Sequence, residues 1–171
     1  MFRLYRSTTS RTAGLHSAAL LILRAVTGWL FILHGLYKFG VTINGWENGV
    51  LKPLGLPVPG LLSGLVPAFE IAAGALLIAG LLTRAVAVLL CTEMVITGFW
   101  IKLNVWHTGV LGPNGVGGAE VDFLFLAICL LLSAAGPGAL AADAVLGLER
   151  SWPDSDTDDG RDRTFAGWPA G

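Results

Sequence analysis

Charge is what this sequence has least of. Asp, Glu, Lys and Arg make up 13% of its 171 residues, against roughly a quarter in an ordinary soluble domain. That is about half the usual supply for solvating a globular surface. The formal net charge is −1 and there is no basic stripe to neutralise phosphates, so nucleic acid is not expected as a partner. Cysteine is scarce too. Cys91 and Cys129 each lie inside an apolar run, in no Cys-x-x-Cys or metal-ligand spacing, and are expected to act as small apolar packing residues. Phosphate-loop, dinucleotide-binding and nucleophile-elbow patterns are missing, and the histidines do not fall in a recognised ligand spacing. No intrinsic cofactor and no catalytic residue are therefore expected, and a self-sufficient oxidoreductase is not.

What is present is apolar sequence, 54% of the chain, with a mean hydropathy of +0.68. Four stretches stand out, at residues 15–39, 61–82, 85–103 and 121–135. The first three approach the roughly 20 residues needed to cross a bilayer core about 30 Å thick, and the fourth is short. Hydrocarbon offers the backbone no partners, so each crossing must satisfy its own hydrogen bonds, as a helix does. Barrel strands would alternate polar and apolar residues, and the run 71–82 does not. The expectation is an all-α membrane protein, an antiparallel bundle of four transmembrane helices. Residues 1–14 would be a basic N-terminus, 15–150 the membrane domain, and 151–171 a disordered acidic tail carrying Asp154, Asp156, Asp158, Asp159 and Asp162. A cleaved leader is not expected, because the first apolar segment is too long and lacks a small-x-small site. Arg3, Arg6 and Arg11, Arg84 and Arg150 fall on one side, and Lys38, Lys52 and Lys102 on the other. This bias points to both termini in the cytoplasm.

Ionisable residues inside a span cost on the order of 2.5–3.5 kcal/mol each, so they usually face the bundle interior. Here they are Arg24, His34 and Lys38 in the first span, Glu70 in the second, Glu93 in the third, and Glu120 and Asp122 at the start of the fourth. At about 100° per residue, Arg24, His34 and Lys38 share a face with the small residues Gly28 and Gly35. Glu93, Thr97, Trp100 and Asn104 share a face of the third span, while Lys102 falls nearly opposite, where it would snorkel to the interface. These positions predict an outward-opening polar pocket. His34, Lys38, Glu70 and Glu93 would line it, Arg24 would be its floor and Trp100 an apolar wall. The competing expectation is that Arg24 pairs with Glu70 or Glu93 and the charges only fix helix register. Glu120 and Asp122 are expected to cap the fourth helix, and Trp29, Trp46 and Trp106 to anchor the interface.

The ordered set Leu23-Arg24, Gly28, Phe31, His34-Gly35, Lys38-Phe39, Leu54-Gly55-Leu56-Pro57, Glu70, Gly74, Gly80-Leu81-Leu82-Thr83-Arg84, Gly118-x-Glu120, Gly136-Pro137-Gly138 and Asp143 resembles the DoxX family of bacterial membrane proteins over about residues 15–147. That resemblance implies a four-helix membrane protein related to a subunit of a thiosulfate:quinone oxidoreductase. It also implies kinship with the membrane member of an actinobacterial complex that contains a superoxide dismutase and a sulfurtransferase. The implied role is a subunit of a respiratory or redox complex that helps bind quinone or anchors a soluble oxidoreductase, surrounded by membrane lipid and other redox proteins. Two alternatives stand beside it: a purely structural accessory, for which Ala68, Ala72, Ala75 and Ala79 form a small-residue stripe on the second span, and a lipid- or small-molecule-binding protein.

Overall fold

The computed structural model describes residues 2–40, 43–112 and 117–148, with side chains described from residue 14 of the first helix and residue 45 of the second. The acidic tail at 151–171 and Arg150 lie outside the described residues. Six α-helices are described: α1 (Phe2–Gly40), α2 (Ile43–Trp46), α3 (Pro59–Ala79), α4 (Thr83–Val95), α5 (Glu120–Ala135) and α6 (Ala142–Leu146). Two π-helical segments extend this set, Glu47–Leu51 after α2 and Ile96–Val105 after α4. There are no strands among the described residues.

Among the described residues three helices are long and apolar enough to cross a membrane: Gly14–Gly40, Pro59–Ala79, and Thr83–Val105, which joins α4 to its π-helical continuation. The apolar α5, at 16 residues, is shorter. Backbone continuity carries α1 back to Phe2, so the basic residues at the N-terminus continue a helix that the apolar pattern starts at residue 15. Pro59 opens α3 in its first turn, where its missing N–H costs nothing. Pro67 lies in the interior of α3, so Glu70 stands about 16 Å from the helix start.

The long helices pack as two pairs. α1 lies along α3, α4 lies along α5, and contact between the pairs is thin. Glycine sets the first pair. A Cβ at Gly28 would collide with the carbonyl oxygen of Gly74, and a Cβ at Gly74 would collide with that of Gly28. About two turns along, a Cβ at Gly35 would lie 2.6 Å from the Pro67 carbonyl oxygen. The two backbones therefore touch, as small residues allow where van der Waals packing replaces hydrophobic driving force. Between the pairs, Phe31, Leu77, Leu90, Phe125, Cys129 and Leu132 form the apolar core. Both cysteines are buried free thiols, and Cys91 Sγ donates weakly to the Leu126 carbonyl at 3.8 Å.

The connection across residues 40–60, expected to be irregular, contains α2 and a π-helical turn, closed by Lys52 N–H to Glu47 O at 2.9 Å. Leu51, 2% exposed, plugs this segment into the bundle.

Candidate functional site

Two polar clusters occupy opposite ends of the bundle. At one end Gly80 ends α3 in the left-handed region (φ 69°), and Leu82 follows with φ 52°. A non-glycine residue there costs on the order of 1–2 kcal/mol. Asp143 on α6 offsets that cost. Its two carboxylate oxygens accept from Leu82 N–H at 2.8 Å and Thr83 N–H at 3.0 Å, capping α4 from another helix, and its own N–H donates to Gly80 O at 3.0 Å. Arg24 comes to the same place. It is fully buried, donates from Nη2 to Leu140 O at 2.6 Å and feels the charge of Asp143. A Cβ on Gly80 would overlap its guanidinium. Arg84 closes the knot by donating to the carbonyls of Ser133 and Ala134, each at 3.2 Å, at the end of α5.

Arg24 therefore is not the floor of a pocket, and its charged neighbour is Asp143 rather than Glu70 or Glu93. It precedes His34 by ten residues, about 15 Å along the helix, which puts it beside the turn into α4. Periodicity correctly placed it on the inward face; what waits at that depth depends on α6, which lies over a hundred residues away.

The other end holds a cavity of about 190 Å³. Its walls are Phe31, Met94, Ile101, Val121 and Phe125, with Trp46, Val50 and Trp106 towards the outer rim. Its polar groups come from every long helix: His34 and Lys38 from α1, Glu70 from α3, Thr97 and Lys102 from the π-helical segment, and Asp122 from α5. Lys38 Nζ pairs with Glu70 at 2.5 Å, lies 3.9 Å from Glu93 and sits 5.2 Å from the Trp46 ring centre, within cation–π reach. Lys102 Nζ pairs with Asp122 at 2.5 Å and donates to Gly118 O at 3.0 Å, while Thr97 Oγ1 donates to the other Asp122 oxygen at 2.8 Å. His34 Nδ1 lies 2.8 Å from Leu30 O. A carbonyl only accepts, so Nδ1 carries the proton and Nε2 is the nitrogen left for exchange. The imidazole also meets Phe125 edge-on, with centroids 5.9 Å apart.

His34, Lys38 and Glu70 thus come together on one cavity, with Glu93 behind Lys38. Trp100 does not. It is exposed on the outside of the bundle, and Trp46 and Trp106 stand where it was expected. Lys102 is the converse case. In an α-helix it would point away from Thr97, but π-helical hydrogen bonds join residues five apart, as Trp106 N–H to Ile101 O does at 2.8 Å. Thr97 and Lys102 are five apart, and both reach Asp122. Glu120 lies in the first turn of α5, as expected, at the positive end of the helix dipole. Asp122, also in the first turn of α5, faces inward as the counter-ion of Lys102. Among the described residues no group of His, Cys, Asp and Glu is arranged to hold a metal ion.

The DoxX family profile matches residues 19–103. A Bacillus subtilis protein named "Putative oxidoreductase CatD" is 31% identical over 123 residues, covering 72% of this chain and 83% of that one. An uncharacterized protein of Haemophilus influenzae is 35% identical over 127 residues, 72% of this chain and 87% of that one. The Mycobacterium tuberculosis membrane protein Rv3486 is 30% identical over 130 residues, 73% and 79% of the two chains. No solved structure matches.

Proposed function

The chain belongs to the DoxX family, and from that premise we propose that it is the membrane subunit of a redox complex whose cavity holds the ring of a quinone. The observation that carries this is the cavity itself. Aromatic and aliphatic walls surround two ammonium–carboxylate pairs and a histidine, in a bundle that lies in lipid. At about 190 Å³ it is smaller than the roughly 300–1,000 Å³ that enclose a drug-sized ligand. It takes a flat headgroup and leaves an isoprenoid tail among the lipids. Lys38 and Lys102 are the donors for the two carbonyl oxygens of such a ring, and His34 and Glu70 the protonatable pair that exchanges protons with it. The oxidoreductase name of the B. subtilis relative supports the redox setting. In this reading α5 crosses the membrane as the fourth span, with the bilayer thinning around it. The Arg84 end faces the cytoplasm, as do both termini, in a bacterial plasma membrane.

The test is binding of a short-chain quinone to the purified protein in lipid nanodiscs, followed by quenching of tryptophan fluorescence. Trp46 and Trp106 line the site, so saturable quenching is expected, lost in the Lys38→Met variant. Quenching that neither saturates nor responds to Lys38→Met removes the quinone assignment.

A second reading is favoured by one observation. Ala68, Ala72, Ala75 and Ala79 all lie exposed along the outer face of α3, a stripe on which a partner helix could approach closely. That is the surface of an assembly subunit, and it is compatible with quinone binding. Ala72→Leu is expected to abolish co-purification of a membrane partner while leaving quinone quenching unchanged.

A further inference from the structure

The charges around the cavity do not balance. Lys102 and Asp122 neutralise one another across 2.5 Å. Lys38 faces two carboxylates, Glu70 on α3 at 2.5 Å and Glu93 on α4 at 3.9 Å. Neither acid is exposed: their side chains are 3% and 13% accessible. Glu70 Oε2 and both oxygens of Glu93 are buried without a hydrogen-bond partner. Two carboxylates against one ammonium leave one negative charge in a low-dielectric interior, where an uncompensated charge costs several kcal/mol. A carboxyl with a free acceptor beside another carboxyl has one economical remedy, which is to share a proton with it, as paired acids at one site do.

We propose that Glu70 and Glu93 hold a single exchangeable proton between them, with Lys38 as the fixed positive charge, forming a proton-storage site behind the inner wall of the cavity. The other groups facing the pair are accounted for. His34 and Lys38 come from α1, Asp122 from α5 is committed to Lys102 and Thr97, and the thiol of Cys129 on α5 lies close to Glu93. Glu70 lines the cavity and Glu93 does not. A proton passing from a Glu93 oxygen to the free Glu70 oxygen therefore moves from the protein interior to the ligand's side. The O–H bond on Glu93 breaks as the one on Glu70 forms, and the net charge of the pair stays the same. The inference deepens the quinone reading, since a ring that gains electrons needs protons delivered in a dry site, but the experiment below needs no quinone.

Infrared spectroscopy of the full chain in lipid nanodiscs at neutral pH, with no quinone present, reads the protonated-carboxyl stretch directly. One buried carboxylic-acid band that shifts in deuterated water is expected. Charge counting then makes two opposite predictions. Glu93→Gln and Glu70→Gln each leave one carboxylate against Lys38, so either one removes the band. Lys38→Met demands a second proton, so the band roughly doubles. Glu120→Gln, outside the pair, leaves it in place. The proposal is overturned by a wild-type spectrum without the band, by a band that survives either Gln variant, or by one that disappears on addition of sodium, which would make the group a cation site. Its failure leaves the quenching experiment untouched, and failure of quinone quenching with the band intact rejects the ligand rather than the shared proton.

Discussion

The two ends of this bundle use the same costly side chains to opposite purpose. At the Arg84 end, a buried acid and a buried arginine are spent on the backbone. Asp143 caps α4 through two amides and Arg24 takes a carbonyl at the entry to α6. At the other end, the ammonium and carboxylate groups face one another across about 190 Å³ of space. An ionisable residue in a span is thus not in itself the mark of a site. What separates stitching from binding is whether its charge is consumed by chain ends or left facing other side chains.

That contrast is easiest to break at the knot. Asp143→Ala removes both caps and strips Arg24 of its nearby negative charge. Leaving two buried amides without an acceptor costs roughly 1–3 kcal/mol each, enough to lower the unfolding midpoint in detergent sharply, while the protein that remains folded should bind quinone as before. Gly80→Ala follows. It forces a side chain into the left-handed region at φ 69° and into the Arg24 guanidinium, and overpacking of this kind costs about 1–3 kcal/mol, readable in the same unfolding curve. Glu70→Gln should reverse the pattern. Lys38 keeps Glu93 at 3.9 Å, so the loss of stability is smaller than for Asp143→Ala, but quinone affinity falls at least tenfold, about 1.4 kcal/mol. Lys102→Met, measured by the same titration, should cost several-fold in affinity. The smallest effect belongs to Trp100→Ala. An exposed ring outside the cavity should change stability by no more than about 0.5 kcal/mol and binding not at all, whereas Trp106→Ala should reduce the quenching signal. If Asp143→Ala and Glu70→Gln damage stability and binding in equal proportion, the two ends are one cooperative unit and the distinction collapses.

Much of the outer cluster was legible because α1 is a regular helix. Residues four apart stack at 3.6 residues per turn, so His34 and Lys38 could be placed on one face, and Gly28 and Gly35 beside them, with no knowledge of the neighbours. The apolar runs likewise foretold four helical crossings, and three helices among the described residues are long enough to cross a membrane, because hydrocarbon allows few other forms. Lys102 and Trp100 were misplaced for one shared physical reason. The segment Ile96–Val105 is a π-helix, and nothing in its residues announces the change of period, so angles counted at 100° per residue drift within it. Arg24 and Asp143 were hidden differently. Their meeting is set by how a short helix after Gly136-Pro137-Gly138 folds back on the α3–α4 turn, and tertiary contacts of that span leave no local pattern. The proline and glycine that made residues 40–60 read as irregular also concealed α2, which brings Trp46 over Lys38.

The touching glycines of α1 and α3 have a mechanical consequence. At Gly28, Gly74 and Gly35 each backbone lies against the carbonyls of the other helix, with Ile32, Ile71 and Ile78 packed beside them, so the two helices cannot spread without losing contact along their length. They act as one stiff board, hinged to a second board of α4 and α5 by the Asp143-capped turn. The cavity is the gap between the boards at the end away from that hinge, and whatever enters it has a lever nearly the length of the membrane with which to signal its arrival.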